Sequence, residues 1–508
     1  MSIQTVWQAT FDFFSDLPII VEPSRSQLTS DAGLLVFREL DQHLGMTEQF
    51  ARALGDVRDV KLIDHEMLEM VRARVYGVLA DYADQNDHDT LRHDPLFKVL
   101  ADRPPNGAAL ASQPTLSRFE NDITIAALKR LRDVFIDQFI ASFETPPLQL
   151  TFDLDAVDDP AHGAQQLVLF NGFFKQYQYF PMFITCAEKD LFVSIALRHG
   201  TAHACLGADT DLEYLVRRLR AVWPNVRIYV RGDAAFGMPR MYAVCERLDV
   251  DYTFGLTANK VLQARTDDLV TQAVADFEAN HRPSRLFDVF TYQAGTWPIE
   301  RTVVVKAEAN ACGTNRRFVV TNRLGAWHYP EACYDAYAER GESENRNKEF
   351  KVDMAMDRLS DHRFLANYFR LYLHVCALNL LVRLRRVVAD PPPLESITSE
   401  RLPNSAPVME APAPASSAST PAPLRPLPLE AQPAATKKRY YQRRRQEDPL
   451  GEGQPSTWRS LVIKVAAEVI VTTRRILVRL SSSWPNLGYF QHVCDRLFEH
   501  IRPVAETG

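Results

Sequence analysis

Four polar side chains between Tyr337 and Lys351 share one phase of a helix. Tyr337, Arg340, Glu344 and Lys351 stand at offsets of three, seven and fourteen residues, which at about 100° per residue places them within roughly 60° of one another. A phenol, two cations and a carboxylate are poor core material; they suit a surface that holds a metal ion and grips phosphate oxygens. Glu339, Glu342 and Glu349 fall off this stripe, which selects Glu344 as the metal-facing carboxylate. A solvated helix with salt-bridge spacing is the plainer account of the same residues. Two further carboxylates end strand-like runs: Asp155 closes Leu148 to Asp155, and Asp233 follows Val226 to Val230 and Arg231-Gly232. Open α/β sheets place ligands at the C-terminal ends of their strands. Three like charges crowd together stably only around cations. A pair of Mg²⁺ ions, with Mn²⁺ as substitute, held about 3.5 to 4 Å apart would clamp the attacking and leaving oxygens of an in-line phosphodiester displacement. Asp153 shares a strand face with Asp155 and competes for the first position. Read singly, either strand-end aspartate also fits a turn or cap residue.

The elements that must position these groups follow from periodicity. Residues 26 to about 140 read as helical, with Leu28-Thr29-Ser30-Asp31 offering cap residues before Leu34, Leu35, Phe37 and Leu40. Leu62 to Tyr82 carries Met67, Val71, Val75 and Leu79 at four-residue intervals, an amphipathic helical pattern. A short element after Pro114 and a helix to about Ser142 follow. From Pro147 the period becomes that of strands, with runs at 148–155, 180–186 and 191–197, a helix at about 210–222, then the run at 226–230. Three strands, a helix and a strand predict an α/β layer. The stretch 251–322 is again strand-rich, and helical pattern returns from about Ala332 to Val388. Prolines, alanines and serines fill 390–436, as expected of a linker that cannot bury enough apolar surface to fold. A basic run opening with Lys437, Lys438 and Arg439 comes next, and Trp458 to about Leu480 reads as an amphipathic helix carrying Lys464, Arg474, Arg475 and Arg479.

The chain of 508 residues is long enough for two or three domains, and 46% hydrophobic with 24% charged residues is a globular balance. Its net charge of −6 does not advertise a nucleic-acid binder, so cations must be gathered in patches if it is one. No run approaches the roughly 18 to 20 uncharged apolar residues of a membrane helix, and Met1 to Phe14 lacks a signal-peptide pattern. Seven scattered cysteines without C-x-x-C spacing fit reduced thiols in a cytosol rather than disulfides or zinc.

Taken together, these residues resemble the DDE transposases, whose catalytic core is ribonuclease-H-like, and more closely the bacterial insertion-sequence group known as the thirteen-eighty family. The resemblance runs over most of the chain. Leu28 to Gly33 is similar to that family's N-terminal block. Asp81 to Asp87 with Leu91-Arg92-His93-Asp94-Pro95 resembles its second block, and Ser112 to Arg118 its short pre-catalytic element. Asp153 to Gly163 is similar to the first-aspartate block, Arg231-Gly232-Asp233 to the second, and Tyr337 to Lys351 to the glutamate block with its Y-R-E-K signature. One departure is Val157, where the family has a threonine, and the proline-rich stretch is an addition to its pattern.

The resemblance implies that Asp155, Asp233 and Glu344 hold the metal ions, and that Tyr337, Arg340 and Lys351 contact DNA phosphates near the cleavage site. It implies a helical DNA-end-binding region at 1–145, a catalytic core at 146–250 and 323–389, and a β-rich insertion at 251–322. After the linker, 437–508 would hold a basic segment and a C-terminal helix. Trp297 in the insertion is a candidate for stacking on a flipped base, beside the alternative of packing the insertion's own core. His162 is a candidate ligand beside the alternative of a turn histidine, and Lys437, Lys438 and Arg439 fit phosphate tethering beside the alternative of a solvated linker end. The expected reaction is metal-dependent cleavage at transposon ends and strand transfer into target DNA. The expected partners are terminal inverted repeats, target DNA and a second copy of the chain in a synaptic complex, in a bacterial cytoplasm or at its nucleoid. The alternatives are a stand-alone nuclease on the same core and a domesticated DNA-binding protein without catalysis.

Overall fold

The change of period at Pro147 divides the chain into a helical layer and a sheet. The computed structural model describes residues 7–389 and 450–502, apart from 12, 14–16, 57, 60, 62, 162 and 452. Leu62, His162 and the stretch holding Lys437, Lys438 and Arg439 lie outside the described residues. A ribbon of β1 (Ala9–Phe11) and β2 (Ile19–Val21) precedes β3 (Leu28–Thr29). Seven helices follow: α1 (Leu34–Leu44), α2 (Met46–Leu54), α3 (Met67–Leu79), α4 (His88–Leu91), α5 (Pro95–Leu100), α6 (Gln113–Asn121) and α7 (Ile125–Ile140). Asp94 starts α5 by accepting from the amides of Leu96 and Phe97 at 2.8 and 3.0 Å, with Pro95 at the first position, where its missing N–H costs nothing. The expected amphipathic α3 is instead buried on all sides from Glu69 to Leu79. Its polar groups are paired: Arg74 donates to Glu120 at 2.8 Å, and Tyr76 donates to Asp41 at 2.8 Å.

The sheet begins with β4 (Gln149–Ala156). After it come the short strands β5 (Asp159–Pro160), β6 (Leu169–Asn171) and β7 (Gln176–Tyr179), then β8 (Met182–Cys186) and β9 (Leu191–Ala196). Helix α8 (Ala208–Val222), β10 (Arg227–Gly232), α9 (Pro239–Arg247) and β11 (Asp251–Leu256) complete its parallel centre. The chain then adds α10 (Lys260–Arg265), α11 (Asp267–Asn280), β12 (Ser284–Tyr292), β13 (Arg301–Asn310) and β14 (Gly313–Thr321). The eight strands lie in the order β12-β13-β14-β11-β10-β4-β8-β9. This mixed α/β sheet has the architecture expected of a ribonuclease-H-like core. The strands between Asp251 and Asn322 continue that one sheet, with two helices laid against them, while β5, β7 and β6 form a separate small sheet directly after β4.

Three helices return over the sheet: α12 (Pro330–Ala338), α13 (Gly341–Lys348) and α14 (Phe364–Val388). Helix α14 is long and apolar enough to cross a membrane, yet 89% of its most apolar window is buried inside the protein. Its Arg370 donates to the buried Glu120 at 2.5 Å, and Asn379 pairs with both backbone groups of Phe192.

The C-terminal segment corrects the helix expected over Trp458 to Leu480. A helical turn at 455–463 leads into a hairpin of β15 (Ala467–Val471) and β16 (Ile476–Leu480), and the last helix, α15, spans Leu487–Ile501. The β-branched run of Val469, Ile470 and Val471 wins over the spacing of the arginines. Strand β15 pairs antiparallel with β3. The block expected to cap α1 receives this segment: Ala32 and Gly33 donate to the carbonyls of Val465 and Ile463 at 3.2 Å, and Asp31 pairs with Lys464 at 2.7 Å. A Cβ on Gly33 would lie 1.9 Å from the Val462 carbonyl oxygen, so only glycine admits this contact.

Candidate active site

Strands β4 and β10 run parallel, with Gly232 opposite Leu154 on their last shared rung. One residue further along come Asp155 and Asp233, at the end of the sheet where loops leave for the next elements. Asp233 begins a tight turn in which its Oδ1 accepts the Ala235 amide at 2.9 Å. The turn abuts β11 at Gly255, where a Cβ would sit 2.7 Å from the Ala234 nitrogen and 3.0 Å from the Tyr337 hydroxyl. Strand glycines mark such close approaches.

Helix α13 brings the third carboxylate. Arg340, at its N-cap, reaches Asp155 Oδ2 with Nη1 at 3.4 Å and Glu344 Oε1 with Nη2 at 2.9 Å. Asn347, one turn beyond Glu344, donates Nδ2 to Asp155 Oδ2 at 2.6 Å, and the Ala156 amide donates to Oδ1 at 3.0 Å. Asp155 is mostly covered, whereas the Glu344 side chain is 63% exposed. Burial pushes the Asp155 carboxyl up to about 6; Asp233 and Glu344 add to the rise and Arg340 opposes it. Burial works against the Arg340 charge, but Asp155, Tyr337, Glu344 and Asp233 together hold it above its ordinary value. Burial also raises the Tyr337 phenol, with Arg340 pulling the other way.

Among the described residues, no three carboxylate, histidine or cysteine side chains close to metal-coordinating distance. Arg340 stands between Asp155 and Glu344, supplying positive charge there. The donor set nonetheless fits a hard divalent cation. It offers three mutually repelling carboxylates, one of them on an exposed, mobile-length side chain. It also offers Asn347 Oδ1, a buried oxygen with no hydrogen-bond partner, beside Asp155.

The single helix stripe expected from Tyr337 to Lys351 is corrected: it is broken twice. Helix α12 ends at Ala338, one residue past Tyr337, and a turn at 339–340 precedes Gly341, whose backbone freedom favours the interruption. Residues 349–353 then widen into π-type turns, as happens at functional sites. The widening carries Lys351 onto Asp158, whose carbonyl and carboxylate accept from Nζ at 2.8 and 3.1 Å. Asp153 is committed elsewhere. It takes both arms of Arg231 at 2.6 and 2.8 Å, and Arg231 also donates to the Ala336 carbonyl at 2.7 Å. Trp297 is 6% exposed and meets Tyr242 and Tyr292 edge-on with Arg301 nearby. This is the packing role set beside base stacking, and it leaves the indole no open face. Asn347, Gly255 and Arg231 were not singled out from sequence. Asn347 had a usable signal in its three-residue offset from Glu344, and Gly255 in lying inside a strand.

The family described as Transposase DDE domain group 1 matches residues 13–403, well over half of the chain. No curated protein matches it. The chain belongs to this DDE transposase family.

Proposed function

From that membership, we propose that the chain cleaves phosphodiester bonds at the ends of a DNA element and transfers the freed 3′ hydroxyl to target DNA. We place it in the thirteen-eighty group. The observation that carries the reading is the meeting of Asp155, Asp233 and Glu344 around one arginine at the C-terminal end of parallel strands. Asp155 and Asp233 would hold two divalent ions, Mg²⁺ or Mn²⁺, with Glu344 swinging in as the third carboxylate and Asn347 Oδ1 as a further oxygen. Such ions, when bound, supply charge stabilisation to the attacking and leaving oxygens of the displacement. Asn347 and the Ala156 amide fix the direction of the Asp155 carboxylate. Arg340, released from its carboxylates, has the two-pronged geometry to grip a phosphate. Tyr337, its phenol held protonated by burial, serves as a hydrogen-bond donor and not as a nucleophile. Lys351, anchored on Asp158, lines the same approach. A second copy of the chain would complete a synapse of two ends.

The test begins with the DNA flanking the reading frame, where imperfect inverted repeats and a short target duplication are expected. Purified protein with Mg²⁺ and those ends should then yield cleaved and joined products, lost in Asp155→Ala, Asp233→Ala and Glu344→Ala. Cleaved ends without joined products would replace transposition by simple nuclease action. End binding with all three carboxylates dispensable would replace it by a domesticated binding protein.

A further inference from the structure

The small sheet that follows Asp155 presents aromatic rings to solvent on a turn built to hold still. Its hairpin joins β6 to β7, with Phe170 opposite Tyr177 and their rings 5.4 Å apart. At the tip, Asn171 Oδ1 accepts the amides of Phe173 and Phe174 at 3.0 and 3.2 Å, and Asn171 Nδ2 donates to the Gly200 carbonyl at 2.8 Å. Gly200 admits the hairpin closely: a Cβ there would lie 2.1 Å from the Gln178 carbonyl oxygen. Despite this ordered frame, Phe173 is 87% exposed, Tyr177 60% and Phe170 50%. Leaving that much aromatic surface in water is unfavourable and marks a binding face.

The surroundings select the occupant. From Gly163 to Ala187 the chain has no aspartate or glutamate and one lysine, Lys175, although acidic residues outnumber basic ones by 64 to 58 over the whole sequence. The hairpin itself sets no carboxylate against a polyanion, and of its two acidic neighbours Asp158 is paired with Lys351 and Asp159 is buried. The hairpin is also wired to the candidate active site, since Gln176 Nε2 donates to Asp158 Oδ2 at 3.0 Å and the same carboxylate pairs with Lys351. Rings on a cation-bearing hairpin are what unpaired nucleic-acid bases stack upon. We propose that Phe170, Phe173 and Tyr177 form a stacking platform for unpaired DNA bases beside the scissile bond. The proposal rests on the transposase reading and adds what that reading lacked once Trp297 proved buried: an open aromatic face.

The test uses the full chain with two probes, an oligothymidylate single strand and a blunt duplex of mixed sequence, and 2-aminopurine as the stacking reporter in the single strand. Phe173→Ala combined with Tyr177→Ala should weaken the single strand by about tenfold or more, remove the reporter quenching and leave duplex affinity nearly unchanged. Both side chains are exposed, so folding is preserved, and Phe173→Trp with Tyr177→Phe should restore quenching. Unchanged single-strand affinity and quenching in the double variant would overturn the platform alone. So would a dimer that falls to monomer with no change in DNA affinity, which would assign the hairpin to contact between copies. Wild-type protein that binds neither probe would bring down the transposase reading together with the platform.

Discussion

Asp153 and Asp155 stand two residues apart on one face of one strand and live in opposite conditions. Asp153 is 2% exposed and clasped by both arms of an equally buried arginine, which also ties the end of α12 to the sheet. Asp155 has one firm amide donor from a side chain, one longer arginine contact and two carboxylate neighbours. The first aspartate fastens the layers together. The second has donors of its own but is largely buried beside two further carboxylates, so its charge is carried at a cost that a bound cation would relieve. The contrast teaches that a fully paired carboxylate and a strained one are separated here by one pleat of a strand.

The largest effect that would break this contrast lies in the clasp. Arg231→Ala leaves Asp153 charged, buried and alone, and is expected to cost about 3–5 kcal/mol, read as a lower urea midpoint. A midpoint equal to the wild type would deny Asp153 its fastening role. Next comes cation binding. Mg²⁺ at about a hundredfold excess over its Kd should stabilise the wild type by about 2.7 kcal/mol, and thermal melts should show none of this in Asp155→Asn. Equal stabilisation of both would remove Asp155 from the cation site.

The smallest effect is a pH profile in metal-free buffer. A carboxyl near 6 in the folded chain and near 4 when unfolded holds its proton more tightly when folded. Stability from this group is therefore full below about pH 4 and declines as pH rises through 6. Asp155→Asn abolishes that decline, so the variant should be more stable than the wild type at pH 7 by an order of 1–2 kcal/mol. A wild-type profile flat between pH 4 and 7 would contradict the strained state of Asp155.

Strong local patterns carried much of this into the sequence. The alternation before Asp155, the apolar run before Asp233 and the helical spacing around Glu344 each reflect a side chain's own surroundings. What stayed hidden depends on distant partners. Arg231 looks like part of a short motif, and only the register of β10 on β4 turns it toward Asp153. The break near Gly341 and the widened turn at 349–353 alter the stripe without changing its residue types. Trp297 could be weighed between two roles but not placed, because one of the rings that covers it, Tyr242, comes from α9, outside the strand-rich stretch. The C-terminal hairpin was obscured by arginines at helical spacing, and its partner strand by Leu28 and Thr29 reading as cap residues ahead of a helix.

That hairpin has a consequence for how the molecule is put together. The segment after residue 450 inserts a strand beside β3, buries Trp458 against Phe37 and sends Arg459 to the carbonyls of Val78, Leu79 and Asp353. It lies beyond the residues that the family match covers, yet it docks on the first block of them. The N-terminal half thus carries a ready socket and the C-terminal segment the plug. Each of these contacts is made by residues outside 390–449, so a polypeptide cut within that stretch is expected to keep them, and co-purification of two separately made pieces would test it.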